Sequence, residues 1–153
     1  MAFGDVSRAE ARATFRSFMA EMDQRLQDFI DIGAAFGYVF EFRISECRDI
    51  ECFFDEYVEF TNDLETSLSF FSRYIGTVII RTHGGYWTLY RGSVRDINHN
   101  MPVLTGLLGI TNIPLNPRDM IYTYYYRKRP GMLEHIINTH ISALKEARKM
   151  HLI

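Results

Sequence analysis

The chain has 153 residues and a mass of 17.9 kDa, with 47% hydrophobic and 24% charged positions. A chain of this length buries roughly 68–70% of its unfolded surface and needs no disulfide or metal staple, and so rich an apolar supply excludes the disordered, collagen-like and low-complexity classes. Its 17 Lys and Arg against 19 Asp and Glu leave a net charge of −2, which argues against a nucleic-acid binder driven by total charge.

The first twenty residues carry three arginines and no continuous apolar stretch, so they do not read as a signal peptide. No later run approaches the ~18 apolar residues of a membrane span. A cytoplasmic protein without a membrane partner is the expectation. Cys47 and Cys52 stand about 140° apart on a helix, too far round to bridge, and reduced thiols fit that compartment.

Taken in chain order, Ser7 with Glu10 forms a capping-box pair. Phe15, Phe18, Met19, Met22, Leu26, Phe29 and Ile30 then make one helical stripe, with Gly33 as its C′ residue. Tyr38 to Ile44 alternates apolar and polar and predicts a strand. Ser45 is placed to cap a second helix reaching Phe60, whose apolar arc holds Cys47, Ile50, Phe53, Phe54, Tyr57, Val58 and Phe60. Asn62 and Glu65 pair as the cap of a third helix, which stops near Gly84-Gly85. Its end is ambiguous, because the β-branched run Thr77 to Ile80 would also suit a strand. Tyr86–Tyr90 and Pro102–Thr105 read as short strands around a polar turn, Arg91 to Asn100. Asn116-Pro117 opens a further helix, and Leu133 to Ala147 forms the last. The expectation is a single α+β domain over 1–153, mainly helical with about five helices and a small antiparallel sheet.

Net charge hides an uneven distribution. Residues 1–40 sum to −2, 41–65 to −7, 66–117 to +3 and 118–153 to +4. Seven excess negative charges within 25 residues repel one another over a screening length of about 8 Å, which is more than solubility requires. Such a helix face is either simply solvated or meets a basic partner, where complementary fields speed encounter. Arg127-Lys128-Arg129 reads more simply as bases at a helix C-terminus than as a phosphate-binding run.

No nucleophile elbow, phosphate loop or H-E-x-x-H pattern occurs. Cys47 lies on an apolar face and Cys52 among carboxylates, and both settings disfavour a thiolate. His135 and His140 point to different helix faces, and His140 reads as a hydrogen-bonded histidine at the core edge. Nothing in the pattern calls for catalytic residues, a cofactor or a metal.

The run Tyr74-Ile75-Gly76-Thr77-Val78-Ile79-Ile80-Arg81, then Gly84-Gly85-Tyr86-Trp87, then Asn116-Pro117 resembles a loosely defined set of small bacterial proteins. It includes proteins of unassigned function and immunity proteins of polymorphic or contact-delivered toxin systems. Family members often carry Glu where this chain has Thr77. The resemblance implies that the helix continues through Arg81 and that a strand carries Trp87. It carries no catalytic residue over to this chain. With the acidic helix, it leads to the expectation of an immunity-type inhibitor of a cognate protein toxin with a basic surface. Asp49, Glu51, Asp55, Glu56, Glu59 and Asp63 are the expected partner-binding residues, with a nearby exposed aromatic as anchor. The second reading is a regulatory or structural interaction module, in one version homodimeric. The third is an enzyme with a site near the Gly84–Trp87 turn and Arg81.

Overall fold

A computed structural model describes residues 7–92, 95, 96 and 98–150; the first six and last three positions, and 93, 94 and 97 of the polar turn, lie outside the described residues. Over the described residues the fold is mainly helical α+β, with six α-helices rather than about five and one two-stranded antiparallel sheet.

Helix α1 (Arg8–Ala20) starts where expected, with Ser7 Oγ accepting the Glu10 N–H at 3.2 Å. The apolar stripe beyond it is not one helix. It breaks at Glu21, and α2 runs over Met22–Ala35. Gly33 is not the stop: it lies inside α2, where a Cβ would stand 2.8 Å from the Phe40 ring. Gly37, at φ +95°, takes the turn instead.

The expected strand over Tyr38–Ile44 does not form. Phe42 adopts φ +59°, and the local N–H groups bond to side chains rather than to a neighbouring strand. Glu46 accepts the N–H groups of Glu41 and Arg43, while Tyr74 Oη accepts that of Phe42 at 2.9 Å. Ser45 caps nothing; it lies in a 3-10 turn (Ile44–Glu46) leading directly into α3 (Cys47–Thr61). Asn62 closes α3 in the left-handed conformation at φ +50°. Asp63, one residue later than expected, caps α4 (Leu64–His83) through the Thr66 N–H at 3.1 Å.

The ambiguous run at Thr77 is helix. Its threonines return their hydroxyls to the preceding turn, Thr77 to the Arg73 carbonyl at 2.7 Å and Thr82 to the Val78 carbonyl at 2.8 Å, so their polar atoms are satisfied within the helix. Gly84, at φ +79°, ends α4. Strands β1 (Tyr86–Leu89) and β2 (Pro102–Thr105) pair with Tyr86 opposite Thr105 and Leu89 opposite Pro102. Asn116 Oδ1 accepts the Asp119 N–H at 3.1 Å and starts α5 (Pro117–Arg127), with proline in its first turn. Helix α6 (Met132–Lys149) completes the fold.

Helix α4 runs through the centre, with Leu68, Phe71, Tyr74, Ile75, Val78 and Ile79 fully buried. Around it lies an aromatic core. Phe29 of α2 stacks on Tyr74 at 4.1 Å between centroids and meets Phe40, Phe53, Phe70 and Phe71 at 4.9–5.2 Å. Among the described residues no helix is long and apolar enough to cross a membrane.

Candidate partner-binding face

Helix α3 is held by its apolar side. Ile50, Phe53 and Phe54 are fully buried against α4, and Cys47 is 2% exposed. Burial pushes the Cys47 thiol up to about 12, with Glu134, Glu51 and Glu46 adding to the shift, so this sulfur is protonated and inert at neutral pH. With that side anchored, Asp49, Cys52, Glu56, Glu59 and Phe60 fall on the opposite side within an arc of about 100°.

Of the nine carboxylates counted in 41–65, six are exposed, but most of the nine are buried or already engaged within the fold. Glu51 is fully buried. Its carboxylate accepts the N–H of Gly131 at 2.9 Å and of Leu133 at 3.0 Å, and Arg48 Nη1 donates to it at 3.1 Å. It is therefore no surface contact, contrary to expectation. Asp55 is half-buried and also turned to the fold, accepting Tyr124 Oη–H and Lys128 Nζ–H, each at 2.7 Å. Burial, followed by this bond and charge, raises the Tyr124 pKa. Glu46 is buried under the 38–46 segment, where Tyr74 donates to it at 2.6 Å. Asp63 is exposed but occupied as the α4 cap; the Thr66 hydroxyl and N–H hold its carboxyl below its ordinary value. Glu41 pairs with Arg43, and Glu65 with Arg118.

Three carboxylates remain on the outward side of α3. Asp49 and Glu59 are exposed with no hydrogen bond or ion pair among the described residues. Glu56, also exposed, accepts Tyr38 Oη–H at 2.9 Å; burial first, then this bond and the Glu56 charge, push the tyrosine up to about 12. Two exposed apolar residues accompany this row, Phe60 on α3 itself and Val39 next to Tyr38 in the chain. Phe60, expected to face inward, is 77% exposed and rests its edge against Phe36 at 5.7 Å. Val39, next to Tyr38, is 75% exposed. The signal for Val39 was present, since the alternation over 38–44 sets it on the side of Glu41 and Arg43. For Phe60 the signal was its place at the last turn of the helix, where the apolar arc outruns the core.

In the basic run, Arg127 lies in the last turn of α5 and Lys128 at its C-cap; Lys128 is tied to Asp55 and lies 5.0–5.8 Å from the Phe54, Tyr124 and Tyr125 rings. The groups considered for an enzyme site have separate partners. Arg81 lies 3.7 Å over the Phe42 ring, whereas Trp87 packs edge-on against Phe18 at 5.0 Å. His140 is not the hydrogen-bonded histidine expected; its Nε2 is buried without a partner among the described residues. Among those residues no group of three or more His, Cys, Asp or Glu is disposed to hold a metal ion. What the α3 face presents chemically is exposed carboxylates together with exposed apolar side chains. Compared with protein-family models, with curated proteins and with solved structures, the chain finds no match.

Proposed function

We propose that this chain is an immunity-type inhibitor that binds and neutralises a cognate bacterial toxin domain through the outward face of α3. The observation that carries the reading is the row Asp49, Glu56 and Glu59 together with the exposed Phe60 and Val39. Unpaired surface carboxylates steer a basic partner during encounter, and an exposed aromatic next to them is the residue type that anchors an interface. The resemblance of the Gly76–Arg81, Gly84–Trp87 and Asn116-Pro117 pattern to immunity proteins supports the same reading.

The test is rescue by co-expression with any toxin-like reading frame found beside the gene, followed by binding kinetics. Asp49→Lys with Glu59→Lys slows association and weakens its salt dependence, whereas Phe60→Ala mainly speeds dissociation. Rescue with unchanged kinetics in these variants moves the interface away from α3. Failure to rescue, with self-association through this face, assigns the chain to a homodimeric or regulatory module instead.

A further inference from the structure

A different surface carries chemistry of its own. Between α2, α4 and the first turn of α5 opens a cleft of about 360 Å³, within the size range of small-molecule sites. Arg73 of α4 lines its floor and is 7% exposed. Its guanidinium lies 4.3 Å over the Phe18 ring, and its polar contacts are all long. Nε is 3.4 Å from the Phe18 carbonyl, Nη1 3.3 Å from Ser69 Oγ and Nη2 3.6 Å from the Glu21 carboxylate. Glu21 is itself half exposed and shared with Arg25 at 3.6 Å. Charge-assisted N–H···O bonds normally close to about 2.7–2.9 Å. A desolvated guanidinium with five donors and no close acceptor therefore has an incomplete set of partners.

The rest of the lining narrows the ligand class. Arg118, in the first turn of α5, reaches the same cleft while paired with Glu65, and the positive end of the α5 dipole adds to its field. Ile32, Tyr57 and Phe70 supply an apolar wall. Three arginines, Arg25, Arg73 and Arg118, face three carboxylates, Glu21, Asp28 and Glu65, so the lining is neutral overall and holds no excess positive charge to favour a dianion over a monoanion. The planar fork of a buried arginine matches a carboxylate in bidentate fashion. We infer that this cleft binds a small monocarboxylate with an apolar body, its carboxylate held by Arg73 and Arg118 and its body against Tyr57, Phe70 and Ile32.

The experiment needs no toxin, so its outcome is independent of the role proposed for α3. The full chain is titrated with phenylacetate, phenylalanine, benzylamine and inorganic phosphate, followed by calorimetry and thermal shift. Phenylacetate is expected to bind saturably at one site and to raise the melting temperature, and benzylamine to do neither. Arg73→Lys keeps the charge but loses the fork, and Arg118→Gln removes the second cation; each weakens phenylacetate by about tenfold or more. Arg118 is at the rim, so its variant serves should Arg73→Lys fail to fold. No saturable carboxylate binding at millimolar concentration, phosphate binding more tightly than phenylacetate, or unchanged affinity in folded Arg118→Gln each overturns the assignment.

Discussion

Glu51 Oε2 accepts the backbone N–H of Leu133 at 3.0 Å, across 82 positions of sequence. Gly131, at the N-cap position of α6, has φ +85° and no side chain with which to cap, yet the first N–H groups of a helix require acceptors. A carboxylate delivered from α3 meets that need and places negative charge at the positive end of the α6 dipole. The bond thus ties two helices together and fixes where α6 begins.

Removing that carboxylate is expected to be costly. Glu51→Ala leaves the Gly131 N–H and the buried Leu133 N–H without their acceptor, and should lower stability by about 2–4 kcal/mol. Glu51→Gln keeps one acceptor oxygen and should lose less. Urea unfolding of the three proteins checks this, and equal stability of Glu51→Ala and the parent would show that water replaces the carboxylate.

The same residue explains why charge counting overstated the acidic face. A carboxylate contributes −1 to a segment sum whether it faces solvent or caps a distant helix. Nothing local to Glu51 or Asp55 announces Leu133, Gly131, Lys128 or Tyr124 as partners. The 38–46 segment failed for a related reason. Its alternation is real, and Phe40 does point into the core, but its N–H groups are taken by Glu46 and by Tyr74, the latter 32 positions from Phe42. Caps that lie within four residues, such as Ser7, Asn116 and the Gly84 stop, were legible because their geometry is local. The break at Glu21 was not, since the apolar stripe crosses it without Pro or Gly.

Alkaline pH should unfold the chain through groups kept neutral in its interior. Burial, then Glu46, push the Tyr74 phenol far above its ordinary value near 10, and burial, then Asp55, raise that of Tyr124. Burial lifts the Cys47 thiol from near 9 to about 12. In each case the folded chain retains a proton that the unfolded chain has lost, so stability is complete below the unfolded pKa and falls as pH rises beyond it. The slope should reach about 1.4 kcal/mol per pH unit for each such group. Urea midpoints measured from pH 8 to about 11 should show this limb, becoming shallower in Tyr74→Phe. Tyr74→Phe also frees the Phe42 N–H and the Glu46 carboxylate, so it should be less stable at pH 7 by about 1–3 kcal/mol. An unaltered alkaline slope in that variant would remove Tyr74 from the account.

On the acid side the group to watch is His140. Burial lowers its pKa from 6.5, and its Nε2 has no partner among the described residues. The unfolded chain takes up the proton first, so this contribution is complete above pH 6.5 and is lost as pH falls below it. His140→Leu removes both an unsatisfied nitrogen and the titration. It should be neutral to about 1 kcal/mol more stable at pH 7.5, with a flatter stability profile between pH 7 and about 5. A loss of stability in His140→Leu at both pH values would mean that the imidazole has a partner that the leucine cannot replace.

Gly76 and Trp87 are packing partners. A Cβ at Gly76 would stand 2.2 Å from Trp87 Cζ2, so the indole lies flush on the α4 backbone, with Phe18 of α1 closing over its edge. Gly76→Ala must therefore displace the ring, at a cost of about 1–3 kcal/mol. Trp87 is the single tryptophan, and its emission should move to longer wavelength as the ring meets water. Trp87→Leu supplies room for the new methyl. The double variant should accordingly be more stable than the sum of the single losses implies, with a coupling of at least about 1 kcal/mol. Simple additivity would show that the two residues do not press on each other, and that glycine is required at position 76 for some other reason.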